Sequence, residues 1–369
     1  MMSARTHATR RRQAGMSLVE LMVGMLVGLI GIIIIAHLYV TNDQYQRSTS
    51  GAGTAQVSGA IALYMLEREI RQAGFGVNHS GALECSCVGV GCSPVRYYYK
   101  GRWSFPPNAT LAGARPALTL APVVIVQNAA GSTDSITIFA ATDAERVLPT
   151  TLLETMATSQ TAIKPDGIGG FDMGNLAVMA SGTTCGLVQI SAIPNPVTQE
   201  LVHVGGDWND PAIATMPAFG SGSLIFGLGT TPLWRRYTVV SNKLQMADMS
   251  AILGDTLPID LVDDIVDMQA LYGKDTGGDD VVDTWDTVTP TTGAGWLQVR
   301  AIRIAVLARS GNYERPSTPG GACEATLVGS ETVNWSGGTF NVPGGLPSCY
   351  KYRGFETIVP LRNMIWRPA

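Results

Sequence analysis

Twelve residues, Asp275 to Asp286, hold the densest set of groups able to bind a cation. The run Asp-Thr-Gly-Gly-Asp-Asp-Val-Val-Asp-Thr-Trp-Asp places acids at loop positions 1, 5, 6, 9 and 12. A calcium loop of the EF-hand kind takes oxygen ligands at 1, 3, 5, 9 and 12, a backbone carbonyl at 7 and glycine at 6. Asp275, Asp279, Asp283, Asp286 and the Val281 carbonyl meet part of that pattern, so calcium is one reading of the loop. Gly277 at position 3, Asp280 at position 6 and the short Asp286 at position 12 depart from it. Those missing ligands favour the other reading, a solvated acidic turn between two strands. Neither reading requires a cofactor.

Six cysteines stand at 85, 87, 92, 185, 323 and 349. In an exported domain an even count reads as disulfides. Cys323 and Cys349 flank a Gly/Pro-rich loop and are expected to pair, leaving Cys185 for one of Cys85, Cys87 or Cys92. Cys85-Ser86-Cys87 with Cys92 also has the look of a zinc knuckle, but His79 is the nearest imidazole and an oxidising compartment favours bridges. No Gly-x-Ser-x-Gly or His-Glu-x-x-His occurs and the four histidines are scattered, so no enzyme is expected. Tyr97, Tyr98 and Tyr99 with Lys100, Arg102 and Trp103 could stack single-stranded DNA. After position 15, however, 21 basic residues face 29 acidic ones, a net of −8. A nucleic-acid groove needs the opposite balance. No nucleic-acid partner is expected.

These groups must be carried by elements, and the first is unmistakable. Leu21 to Ala36 contains only apolar residues and glycine. As a helix, Met16 to Val40 is about 37 Å long, enough to cross a hydrocarbon core of roughly 30 Å. Arg5, Arg10, Arg11 and Arg12 precede it without an acid, which leaves residues 1–15 in the cytoplasm and the rest across the membrane. Glu20 is the one carboxylate in the span, and such acids usually face a partner.

A short basic leader, then Gly15-Met16-Ser17-Leu18-Val19-Glu20, then an apolar helix, resembles the type IV prepilin signal. The resemblance implies cleavage after Gly15 by a membrane peptidase, methylation of the new amine at Met16, and retention of the apolar helix on the mature chain. It also implies that Glu20 neutralises the Met16 amine of a neighbouring subunit. Opposite charges about 4 Å apart gain roughly 4 kcal/mol at an effective dielectric of 20. Met16 stands where that family more often has phenylalanine. A plain anchor explains the apolar run but not this junction. The end of the run, Ile35-Ala36-His37-Leu38-Tyr39, is a poor site for secretory cleavage.

Beyond Val40 the polarity rises, and Gly51 and Gly53 suggest a bend or local melting. Helical spacing resumes with Ile61, Met65, Leu66, Ile70 and Ala73 on one face, Glu67 and Arg71 as an i,i+4 pair, and Gly74 as the stop. The expected plan is a leader (1–15), a membrane and assembly half-helix (16–40), an amphipathic half-helix (41–74) and a β-rich extracytoplasmic head (75–369). Strands are expected at Val95–Lys100, Ala117–Val126, Ser135–Ala141, Leu187–Ile193 and Ser223–Gly227. Further strands are expected at Leu233–Val240 and Lys243–Met246 around a Ser241-Asn242 turn, and at Val266–Tyr272, Leu297–Arg309 and Phe355–Leu361. Residues 142–182 read as an insertion or extended loop. The fold class is α+β: a long helix packed on an antiparallel sheet, with large insertions.

The segment Ile265 to Asp275 with its acidic loop and Trp285, together with Val299–Arg309 and Phe355–Met364, resembles the PilW-type minor pilins. The end of the helix, Leu66 to Phe75, does so too. The resemblance implies a minor subunit of a type IV pilus, in the inner membrane before assembly, that takes part in priming or in a tip complex. Its implied partners are the prepilin peptidase, other minor and major pilins, and the inner-membrane assembly platform. The alternatives are a minor pseudopilin of type II secretion, or a tip adhesin using the calcium loop or the weakly matched residues 75–260.

Overall fold

A computed structural model describes residues 15–86, 95–99, 102–103, 118–127, 132–142, 148–157, 161–194, 197–209, 216–249, 257–313, 333–340 and 349–365. Residues 1–14 of the expected leader, Cys87, Cys92, Lys100 and Cys323 lie outside these residues. The chain divides into two compact units after Gly51. Helix α1, Leu18–Gln72, contributes to both. The helix continues unbroken through Gly51 and Gly53, so of the expected bend or local melting there is no melting. Two glycines cost little beside the many bonds of a helix this long.

In the first unit every residue from Gly15 to Val40 is exposed except the half-buried Gly31. The stretch Leu18–Asp43 is long and apolar enough to cross a membrane.

In the second unit α1 buries Ala55, Gly59, Ala62, Leu66 and Ile70, and Ala73 just past its end is buried too. This stripe corrects the expected face, because Ile61 is 46% exposed. The packing side begins with small residues, not large ones. At Gly59 an added Cβ would run into the Phe355 ring, so only glycine admits that ring against the helix. Glu67 and Arg71 pair as expected. Glu69 receives Arg235 at 3.0 Å. Gly74, at φ +78°, ends the helix. The side-chain amide of Asn363 donates to the free carbonyls of Gln72 and Ala73 at 3.1 and 3.0 Å.

Two antiparallel sheets share a hydrophobic core with this stripe. One has the strand order Ile259–Asp263, Lys243–Asp248, Leu233–Val240, Ser135–Ala140, Val123–Val126. Its central hairpin turns through Ser241 and Asn242, both at positive φ, as a two-residue turn between right-twisted strands requires. The other has the order Thr284–Asp286, Ile265–Lys274, Val299–Arg309, Tyr352–Pro360. Asp264, at φ 62°, carries the chain from one sheet to the other and is held by Arg309 Nε at 3.0 Å.

The third large sheet belongs to an inserted lobe. Ala140 and Leu233 are register partners in the first sheet, yet 92 residues separate them in sequence. Within that interval Thr150–Thr151, Leu224–Gly229, Leu176–Ser181 and Thr184–Gln189 form a sheet in that order. Leu152, Met156, Phe171, Met179, Phe219 and Ile225 belong to a core of its own. The insertion expected at 142–182 is therefore in part regular structure. Leu176 to Ala180 is buried at every position, so this strand shows no alternation in sequence. The Cys85–Cys185 disulfide ties the lobe to the segment that follows α1. Cys349 is also disulfide-bonded.

His203 of the lobe is 3% exposed, and among the described residues its Nε2 has no hydrogen-bond partner. Burial holds its imidazole below the ordinary 6.5, only partly offset by a backbone hydrogen bond. The folded state thus binds this proton less readily than the unfolded chain does. Its contribution is complete above pH 6.5 and is lost as pH falls below that value. The thermal midpoint should therefore fall between pH 7.5 and pH 5.5 by a step that His203→Leu removes. An unchanged step in that variant contradicts the assignment.

Candidate functional site

Two places carry the groups singled out above. At the amino-terminal junction Gly15, Met16 and Ser17 precede the helix. Ser17 Oγ accepts from the Val19 N–H at 3.2 Å, and the Ser17 N–H donates to the Glu20 carboxylate at 3.4 Å. The Leu21 N–H reaches the Ser17 carbonyl at 3.1 Å. This is a variant of the capping box: Glu20 reaches back to the N–H of the N-cap Ser17, while the Ser17 hydroxyl takes the N–H of Val19 rather than that of Glu20. The Ser-x-x-Glu spacing was visible in sequence, but the position of Glu20 at the start of an apolar span drew attention away from it. Met16 and Glu20 are both exposed.

The second place is the acidic loop, built between strands Ile265–Lys274 and Thr284–Asp286. Its organising group is a cation from another strand, which no local spacing reveals. Arg300 donates to Asp275 Oδ2 through Nε at 3.2 Å and Nη2 at 3.0 Å. Nη2 also meets Asp280 at 2.7 Å, and Nη1 donates to the Met364 carbonyl at 3.3 Å. Asp275, 2% exposed, further accepts from the Gly278 and Asp280 N–H groups at 2.5 and 3.0 Å.

The remaining acids turn elsewhere. Asp283 Oδ2 accepts from the Thr276 and Gly277 N–H groups, each at 2.7 Å, and from the Thr276 hydroxyl at 3.0 Å. Asp279 accepts from the Val281 N–H at 3.0 Å, while Asp286 is held by Lys274 at 2.7 Å and the Val288 N–H at 2.8 Å. Among the described residues no group of three or more His, Cys, Asp or Glu is arranged to hold a metal. At least one oxygen each of Asp275, Asp279, Asp283 and Asp286 already accepts from N–H groups, the Thr276 hydroxyl, Lys274 or Arg300, so a calcium ion would have to compete with those donors.

The same contacts set the loop's electrostatics. Burial alone would raise the Asp275 carboxyl, but the Gly278 N–H, Arg300 and the Asp280 N–H outweigh it and hold it below 3.8. The Gly277 N–H and the Thr276 hydroxyl and N–H hold Asp283 below 3.8 as well. Depressed carboxyls favour the folded loop at neutral pH, and that favour is lost only as pH falls below their ordinary range.

Of the aromatic run, Tyr97 and Tyr99 are structural in their contacts. Tyr97 is buried edge-on to Trp234, and Tyr99 packs on Trp208 with ring centroids 4.6 Å apart. Trp285 lies over Gly273, where a Cβ would strike its ring, and Arg303 sits 4.3 Å from the Trp285 ring centroid.

Removing the loop's internal cation leaves Asp275 buried without its partner. Arg300→Met should lower the thermal midpoint of the detergent-solubilised chain by on the order of 10 °C. Addition of calcium or a chelator should move the wild-type midpoint by less than about 1 °C. A calcium-dependent rise, or an Arg300→Met midpoint equal to wild type, contradicts this account of the loop. Two family models match the chain in these same regions. The model described as Type IV Pilus-assembly protein W covers residues 235–363, and that of the prokaryotic N-terminal methylation motif covers residues 10–36. No curated protein and no solved structure matches. At the start of its apolar helix and over the acidic loop and C-terminal strands of its head, the chain is thus similar to the PilW-like type IV pilins, and both matches point to a structural pilin rather than an enzyme.

Proposed function

We propose that the chain is a minor pilin acting in the initiation or tip complex of a type IV pilus, and through the pilus in motility, adhesion or DNA uptake. It stands in the inner membrane through Leu18–Asp43 with its head outside the cytoplasm. A prepilin peptidase cuts the Gly15–Met16 bond and the Met16 amine is methylated. The Glu20 carboxylate then takes the Met16 ammonium of a neighbouring minor or major pilin as the assembly platform adds subunits. One observation carries this reading. Glu20 is exposed on an apolar helix, and among the described residues its hydrogen bonding is a single 3.4 Å contact with the Ser17 N–H. A neighbour's ammonium can therefore engage it without breaking a strong internal pair.

A second reading, a tip subunit that binds a ligand, draws on the inserted lobe. A cleft of about 380 Å³ there is lined by Glu154, Thr155, Thr161, Lys164 and Glu200. Lys164 lies 3.1 Å from Glu154 and 3.9 Å from Glu200, and all three side chains remain partly exposed.

Two substitutions of Glu20 test the assembly role. Glutamine can keep the capping contact but carries no charge, whereas alanine keeps neither. Both Glu20→Gln and Glu20→Ala should reduce incorporation into sheared fibres at least about tenfold, the order expected for losing a partly desolvated ion pair. Membrane insertion and the Cys85–Cys185 bridge should survive in both. Fibres containing Glu20→Gln at the wild-type level would remove the role assigned to the carboxylate.

A further inference from the structure

We propose that Ser17 is a positioning residue for processing: its capping contact keeps the Gly15–Met16 peptide bond out of the helix and so leaves that bond open to cleavage. The proposal rests on the processing reading given above. In an α-helix each N–H donates to the carbonyl four residues earlier. Were α1 to begin one turn sooner, the Val19 N–H would take the Gly15 carbonyl, which is the carbonyl of the bond to be cut. That N–H instead goes to Ser17 Oγ at 3.2 Å. The Ser17 N–H, which would otherwise call on the carbonyl of Gln13, is met by Glu20 at 3.4 Å. Both donors are satisfied by the Ser17 and Glu20 side chains, and Val19 does not take the Gly15 carbonyl. Gly15 is exposed, and a Cβ there would have nothing within 4 Å.

The need for such a stop follows from the sequence around it. Arg10, Arg11, Arg12, Gln13, Ala14 and Met16 are all good helix formers, and Gly15 alone disfavours the helix by only about 1 kcal/mol. Next to a membrane, bare backbone donors are costly, which favours extension of the helix. Hydrolysis breaks the bond between the Gly15 carbonyl carbon and the Met16 nitrogen. Water supplies the hydroxyl of the new Gly15 carboxyl and a proton to the new Met16 amine. In the transition state the Gly15 oxygen gains charge and must be taken by donors of the peptidase. A carbonyl already bonded within a helix is withheld from them.

The experiment follows conversion of the full-length chain to its mature form in membranes containing prepilin peptidase. Ser17→Thr and Ser17→Asn retain an acceptor and should be cut within about twofold of wild type. Ser17→Ala and Ser17→Val lack one and should be cut about fivefold more slowly. Formation of the Cys85–Cys185 bridge in each variant checks that the head has folded. A peptidase that reads side-chain size would instead group alanine with serine and valine with threonine. That grouping, or equal rates throughout, overturns the proposal and leaves the processing reading standing. If the wild-type chain is not cut after Gly15, the processing reading falls and the proposal falls with it.

Discussion

The packing of the second half of α1 through a stripe of small residues is the constraint on which the head depends. Ala55, Gly59 and Ala62 are buried along one face of α1, and Phe355 of strand Tyr352–Pro360 fills the space that Gly59 leaves. Leu66 and Ile70 then supply bulk where the two sheets meet the helix. A helix apolar on all sides suits a membrane, whereas one apolar along a single stripe suits a folded head. The sequence of α1 changes from the first pattern to the second. That change explains how one helix can serve two surroundings.

Charge is used sparingly and at fixed points. Arg235 meets Glu69 on the helix, Arg309 fixes the crossing at Asp264, and Arg300 joins the acidic loop to the C-terminal turn. The same turn carries Asn363, which closes the end of α1. The acidic loop, the last strand and the helix end are therefore one connected arrangement with a guanidinium at its centre. Asp280, at φ 65°, adopts a left-handed conformation in the loop and also pairs with Arg300. Of the acids that give the resemblance to a calcium loop, only Asp275 is buried; Asp279, Asp280 and Asp283 stay exposed and bond to the loop's own backbone or to Arg300.

Much of this was legible before any coordinates. The apolar span, the Gly74 stop, the Ser241-Asn242 turn and the long strands Ile265–Lys274 and Val299–Arg309 follow from periodicity and turn chemistry, which act over a few residues. Other features depend on partners remote in sequence. Nothing near Asp275 announces Arg300, and nothing near Ile61 announces that Phe355 selects the glycine side of the helix. Leu176–Ser181 was missed because burial on both faces removes the alternation by which a strand is read. Cys185 could be narrowed only to three partners, since proximity in the fold, not spacing, selected Cys85. The Ser17–Glu20 box shows the opposite failure, a local signal overlooked because Glu20 invited a more conspicuous role.

The central claim is that α1 begins as a processed pilin helix, and mass spectrometry of the amino-terminal peptide tests it most directly. Sheared surface fibres and the membrane fraction should be compared from the same cells. The account predicts a methylated peptide beginning at Met16 in the fibres. Processed protein confined to membranes would favour a secretion pseudopilus over a surface pilus. A chain that keeps residues 1–15 and occurs in membranes alone would contradict the account and leave a plain anchored protein.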